Sequence, residues 1–304
     1  MDVAQILKEI EPEAGRLLDR HMGVAKEWFP HEMVPYDRGK NFSPGAQGVP
    51  SDADFGDAGI EIDEPVRDAL FLNLLTEDNL PYYFRDIDRL FGSDSAYGVW
   101  ARNWTAEEGR HSIVMRDYMT VSRAVDPVAL ERARMIQVRG GEVPDPGDAI
   151  EALAYVSMQE LATRISHRNT GKLMKDEIGT AIMSRVGNDE NLHYLFYRDL
   201  TTAALAVDPS TTVIGIERAV RNFAMPGTGI PDYERMAREI AKAGIYDLLI
   251  HHDQILEPVV MRHWKVTELT GLTAEAEQAR DALVKRIERT AKVGKRLAAE
   301  RVDA

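Results

Sequence analysis

Apolar positions recur every three to four residues along most of the chain, and the strict alternation of a half-buried strand is scarce. Four long segments, 64–91, 96–123, 148–175 and 178–206, join this spacing to residues that favour helix. In the second, Trp100, Trp104, His111, Met115 and Tyr118 fall along one side. Further helices are predicted near 127–138, 211–223, 232–243, 247–266 and 273–301. Residues 39–59 collect Gly, Pro, Ser and Asp and read as a long surface loop, and 139–147 and 225–231 read as turn-rich connectors. None has the character of an interdomain linker, so residues 1–304 are expected to form a single all-α domain. Pro81 lies inside the first long segment, four residues after Glu77, and denies the Glu77 carbonyl its usual donor. Apolar spacing runs on through Tyr83, Phe84, Ile87 and Leu90, which favours a kinked helix over one that ends near residue 79.

Composition narrows the function classes. No stretch approaches the roughly 20 apolar residues of a transmembrane helix. The start, Met1-Asp2-Val3-Ala4-Gln5, lacks the basic-then-apolar plan of a signal peptide, so a cytoplasmic protein is expected. The chain has no cysteine, which excludes disulfides, thiolate catalysis and an iron–sulfur cluster held by its own thiolates. It also lacks the glycine-rich words that cradle nucleotides. Redox chemistry here would therefore draw electrons from another protein. A net charge of −13 argues against nucleic-acid binding, which needs a basic surface.

Two matching words carry the chemistry. Glu107-Glu108-Gly109-Arg110-His111 and Asp189-Glu190-Asn191-Leu192-His193 both read acid-Glu-x-x-His. At about 3.6 residues per turn, Glu and His three apart project from one helix face and can share a metal. Each word follows an isolated helical Glu at matched distance: Glu77 stands 31 residues before Glu108, and Glu160 stands 30 before Glu190. The order Glu, Glu-x-x-His, Glu, Glu-x-x-His is the ligand plan of ferritin-like bundles that hold two metals between four helices. The predicted metal ligands are Glu77, Glu108, His111, Glu160, Glu190 and His193, in a ferritin-like four-helix bundle core with additional helices. His21, His31, His167, His251, His252 and His263 lack this partnered spacing and read as surface or core-edge groups. A metal-bound imidazole usually donates its other N–H to a carboxylate. The pseudo-symmetry of the words then pairs Asp189 with His111 and Glu107 with His193.

Several stretches resemble the soluble acyl-carrier-protein desaturases, especially their actinobacterial and mycobacterial branch. They are Thr76-Glu77-Asp78-Asn79-Leu80-Pro81, Trp104 through His111, Gln159 through Thr170, Asp189 through His193, and Trp264-Lys265-Val266 ahead of Leu269-Thr270-Gly271-Leu272. The resemblance spans roughly residues 20–275. It departs at Gly109, where the family usually has Asn, and at Leu192, where a basic residue is common. Glycine inside a helix costs ~1 kcal/mol relative to alanine.

The resemblance implies a di-iron centre. Glu77 and His111 would hold one iron, Glu160 and His193 the other, and Glu108 and Glu190 would bridge them. It implies that Thr163 stands beside an oxygen-binding pocket; the plain alternative is a hydroxyl bonded to a preceding helix carbonyl. Trp28 would be a surface tryptophan that relays electrons, with a packing aromatic as the alternative. The implied reaction is O2-dependent desaturation of an acyl chain on acyl carrier protein, with electrons from a ferredoxin-type donor, in a homodimer. A straight acyl chain needs a narrow apolar channel, for which Ala152, Leu153 and Val156 are candidates. Both protein partners are acidic as a rule. Docking could use Arg164, Arg168, Lys172 and Lys175, or a second cluster of Lys285, Arg286, Arg289, Lys292, Lys295 and Arg296, although basic runs are commonly just solvated faces.

Other readings stay open: a different di-iron oxidase or hydroxylase, a non-catalytic iron-binding module, or a desaturase homologue with little activity. The small subunit of ribonucleotide reductase is disfavoured, because Met115 stands where it has a tyrosine one turn past the first histidine.

Overall fold

Capping residues fix where most helices begin. In the computed structural model, which describes residues 1–39, 60, 62–141, 143–225, 227 and 229–302, the side chains of Asp2, Ser95, Asp126, Asp148, Asp176, Asp208 and Asp247 each accept a first-turn N–H. Each cap contributes on the order of 1 kcal/mol. The helices are α1 (Val3–Val24), α2 (Glu64–Glu77), α3 (Leu80–Phe91), α4 (Ala96–Val121), α5 (Pro127–Gly140), α6 (Ala149–Leu173), α7 (Glu177–Val207), α8 (Pro209–Arg221), α9 (Tyr233–Lys242), α10 (Leu248–His251) and α11 (Ala274–Val302). Wider π-type turns continue α10 over His252–His263, around Pro258. Among the described residues there is no strand.

The fold is the expected all-α, ferritin-like bundle with added helices. Its core is a closed ring in which α6 packs on α7, α7 on α4, α4 on α2 and α2 on α6. Outside the ring, α1 lies on α4 and α7, α3 on α4 and α6, α9 on α2, and α8 joins α6 and α7 to α11. Apolar layers close both ends. Leu70, Leu74, Val114, Met115, Tyr118, Ile182 and Val186 fill one; Trp100, Trp104, Leu153, Phe196 and Leu200 belong to the other. Each such side chain contributes about 1.5–3 kcal/mol when buried. Along α4 and α7 the predicted ligands fall between these layers.

Two expectations are corrected and one element is added. Segment 64–91 is two helices, not one kinked helix: α2 ends at Glu77, Asp78 and Asn79 form a turn, and Pro81 lies in the first turn of α3. A missing N–H costs nothing there, because first-turn amides have no partner within the helix. The segment 247–266 is not a uniform α-helix, since most of it is the π-type run. Helix α1 was not foreseen. It buries Ile6, Ile10, Ala14, Leu17 and His21 on one face although Pro12 stands inside it. Of the loop expected over 39–59, only Gly39 falls within the described residues.

Candidate metal centre

Four helices bring the six predicted ligands together. Glu77 ends α2, Glu108 and His111 lie one turn apart on α4, Glu160 lies within α6, and Glu190 and His193 lie one turn apart on α7. All are buried. Ligand atoms of Glu77, Glu108, His111 and Glu190 lie within 4.8 Å of one another, as do those of Glu108, Glu160, Glu190 and His193. Glu108 and Glu190 belong to both sets. Two overlapping groups that share two carboxylates can hold two cations side by side.

Both imidazoles are oriented alike. His111 Nδ1 faces inward, 3.1 Å from Glu108 Oε2 and 3.5 Å from Glu190 Oε1. His193 Nδ1 lies 2.7 Å from Glu108 Oε1 and 3.7 Å from Glu160 Oε2. The outer nitrogens meet the paired acids: His111 Nε2 is 3.5 Å from Asp189 Oδ2, and His193 Nε2 is 2.8 Å from Glu107 Oε2. Asp189 also accepts the Trp28 indole N–H at 2.7 Å and lies within ion-pair reach of Arg185 and Arg110. Trp28 is not a surface residue. It is 6% exposed, its ring stacks near His111, and both guanidinium groups sit over it. The Thr163 hydroxyl is buried and donates to the carbonyls of Glu160 and Gln159.

Charge is crowded here. Burial, then Glu108, pushes the Glu77 carboxyl up to about 8, and burial with Glu190 raises Glu160 well above the usual carboxylate range. Burial opposes ionisation of Glu108 and Glu190 too, but the surrounding imidazoles outweigh it and hold both below the ordinary value. His111 and His193 are raised well above the usual imidazole value; their burial acts the other way and is overcome by Glu108 and the neighbouring acids.

Two further histidines belong to this region, against the expectation that they lie at the surface or core edge. His167 is fully buried, with Nε2 3.4 Å from Glu190 Oε1 and 3.7 Å from Glu77 Oε1, and Nδ1 3.2 Å from the Asn73 amide. Burial lowers its pKa, but hydrogen bonding to Glu190 and Glu77 prevails and lifts it to about 9. It therefore offsets part of the carboxylate charge. Its signal was the spacing Glu160, Thr163, His167, which follows one helix face. His21, on α1, bonds Glu107. Trp104 donates its indole N–H to Glu160 at 3.1 Å.

A hollow of about 20 Å³ opens beside the ligands, bounded by Glu77, Glu108, Glu160, Glu190, Tyr83, Trp104 and Gln159. Tyr83, Trp104 and Gln159 also bound a second cavity of about 40 Å³, lined further by Ile87, Leu90, Ala152 and Val156. Leu153 is not part of that lining and packs in the core. Gly109 has open space where a side chain would project, and nothing in the structure explains the glycine.

The donor set fits a pair of cations. Four buried carboxylates can all be ionised together only with positive charge among them, and carboxylate with imidazole suits iron or manganese. His193 Nδ1 and Glu108 Oε1 are 2.7 Å apart, yet neither makes a hydrogen bond. Atoms that converge without donor–acceptor alignment are placed to share a third partner. Loading must displace the protons that His111, His193 and Glu77 hold at neutral pH. Calorimetry of Fe²⁺ or Co²⁺ loading in buffers of different ionisation enthalpy is expected to show net proton release at pH 7, with apparent affinity falling as pH is lowered. Loading without proton release would contradict this charge assignment.

A family model described as fatty acid desaturase matches residues 2–304. The chain is 40% identical to the acyl-[acyl-carrier-protein] desaturase DesA1 of Mycobacterium tuberculosis, over 92% of this chain and 83% of that protein. It is 30% identical to the chloroplastic stearoyl-[acyl-carrier-protein] 9-desaturase of Gossypium hirsutum, over 92% of this chain and 73% of that one. Among solved structures, DesA2 from M. tuberculosis H37Rv shares the fold, with a TM-score of 0.68 at 24% identity over 90% of this chain and 99% of that chain.

Proposed function

We propose, since the chain belongs to the fatty acid desaturase family, that it desaturates an acyl chain carried on acyl carrier protein, using O2 and electrons from a ferredoxin-type donor. The observation that carries this reading is the pair of overlapping carboxylate–imidazole groups beside a narrow, largely apolar cavity. In balance, two hydrogens leave adjacent methylenes as a C=C bond forms. O2 takes two electrons from that carbon pair, two from the donor and two further protons, and leaves as two waters.

Glu77, Glu108, His111, Glu160, Glu190 and His193 would hold two irons, which when bound would activate O2 and relay these electrons. The chain's own residues do the rest. Ala152, Val156, Ile87 and Leu90 would hold the acyl chain straight and keep water away from the oxidant. Asp189 and Glu107 orient the two imidazoles. Trp28, bonded to Asp189, is in place for electron entry toward His111. Thr163 would serve beside the oxygen pocket only by giving up its bond to a helix carbonyl.

Residues 1–304 act as one domain in this reading. We place the enzyme in the cytoplasm; no helix among the described residues is long and apolar enough to cross a membrane. A homodimer belongs to the same reading, with exposed Val99 and Ile113 on α4 as candidate contacts for the second copy. For the acidic carrier, the α6 stripe is only partly available: Arg164 is half-buried, and Lys175 lies beyond α6, paired with Asp63. On α11, Lys285, Arg286, Arg289, Lys292, Lys295 and Arg296 are all exposed, and the first three border a groove of about 470 Å³. Glutamate at Lys285 and Arg289 together is expected to raise KM for the acyl carrier on the order of tenfold at low salt and far less at high salt, with kcat retained. The same reversal at Arg168 and Lys172 should do less. Equal KM values for both pairs would reject α11 as the docking face.

Mass spectrometry of products tests the function. The chain, loaded with iron and given O2, reduced ferredoxin and carrier-linked saturated chains of graded length, should yield products lighter by two hydrogens. Oxygen uptake with only hydroxylated products would favour a hydroxylase instead.

A further inference from the structure

His21 is built into the bundle as a ligand-side group would be, although it lies outside both predicted ligand sets. It is 3% exposed, on α1, a helix laid across α4 and α7. Its Nε2 lies 3.1 Å from each carboxylate oxygen of Glu107, whose Oε2 is 2.8 Å from His193 Nε2. The ring meets the Trp100 indole edge-on at 4.9 Å and lies nearly parallel to His193 at 5.8 Å. A second chain runs Trp28, Asp189, His111. Both outer groups come from one short stretch, the end of α1 and the residues just after it.

The two chains are gripped unequally. Asp189 is held by Trp28 and by two arginines besides His111. Among the described residues only His21 and His193 hydrogen-bond Glu107, whose side chain is 16% exposed and so open to solvent on one side. Without His21, Glu107 can swing outward, and the His193 ring loses the acceptor that keeps Nδ1 turned inward.

We propose that His21 is a positioning residue for the metal position served by His193, acting through Glu107. The inference rests on the metal-centre reading above and adds an asymmetry to it: His21 governs one metal and not the other. A carboxylate that orients a metal-bound imidazole commonly changes metal affinity by 10–100-fold when lost, and a group one step further out should act near the lower end.

The test is chelator-driven release from chains loaded with Co²⁺, which reports each position through its visible absorption. His21→Phe keeps the ring against Trp100 but donates nothing; His21→Gln keeps a donor for Glu107. In His21→Phe one of the two metals should leave about tenfold faster than in wild type and the other at the wild-type rate. His21→Gln should recover most of that loss, and Glu107→Gln should reproduce the His21→Phe pattern even if His21→Phe does not fold. Melting of the metal-free variants reports folding separately. Equal acceleration of both metals, unchanged release, or identical behaviour of the Phe and Gln variants would overturn the proposal. So would a third wild-type metal equivalent lost in His21→Phe, which would make His21 a ligand. A wild-type chain that retains no metal would instead remove the metal-centre reading beneath it.

Discussion

Asp189→Ala is expected to lower metal retention, turnover or both by ten- to a hundredfold, equivalent to about 1.4–2.7 kcal/mol. Asp189 joins three elements at one buried carboxylate: the Trp28 indole, the His111 imidazole, and Arg185 and Arg110. Alanine removes the acceptor that selects the His111 tautomer. It also leaves an indole N–H and two guanidinium groups short of their acid in a buried setting, where an unmade bond to a charged group costs about 1–3 kcal/mol or more. Its pKa fits this role: burial alone would raise it, and His111, then Trp28, more than offset that, so Asp189 lies below the ordinary aspartate value. It is thus ionised throughout the neutral range. Metal per chain after desalting, with turnover on the same sample, decides the matter. Wild-type metal content together with wild-type turnover would end the idea. Asp189→Asn, which can still accept from Trp28, should lie between alanine and wild type.

Ala152→Phe should separate chain binding from metal binding. Ala152 is 2% exposed and faces the cavity of about 40 Å³ between Ile87, Leu90, Trp104 and Val156. That cavity shares Tyr83, Trp104 and Gln159 with the hollow at the carboxylates. A phenyl ring there fills the space a methylene chain would take, and overpacking itself costs roughly 1–3 kcal/mol. Turnover of long acyl substrates should fall more than about tenfold, shorter chains should suffer less, and metal content should stay at the wild-type level. A chain-length profile identical to wild type would show that the acyl group runs elsewhere.

Much of this centre was legible in the sequence because its geometry is local. Glu and His three residues apart are neighbours on any helix, and two such words at matched distance from two further glutamates leave few other arrangements for four rods. The pairing of Asp189 with His111 and of Glu107 with His193 followed from the same symmetry. What escaped depends on contacts between segments distant in sequence. His21 reaches Glu107 only because α1 folds across the bundle. His167 has no acid three or four residues away; its partners are Glu190 and Glu77, from two other helices. Trp28 is buried by arginines from α4 and α7. At Pro81 apolar spacing continued on both sides of a turn, so periodicity alone favoured one helix where there are two. The cavity illustrates the same limit: Ala152, Leu153 and Val156 lie on one helix, and only packing against α3 and α4 decides which of them face it.

The turn at Asp78-Asn79 makes the two halves of the pocket mechanically unequal. Glu160 is flanked by further turns of α6 on both sides, so displacing its backbone means flexing a rod. Glu77 is the final residue of α2, directly against a joint. Movement at Glu77 therefore turns on a joint rather than a rod, and Arg134 latches that joint by holding Asp78 at 2.7 and 2.9 Å; breathing of the pocket on that side, whether to admit a gas molecule or to let a cation exchange, should require the latch to open.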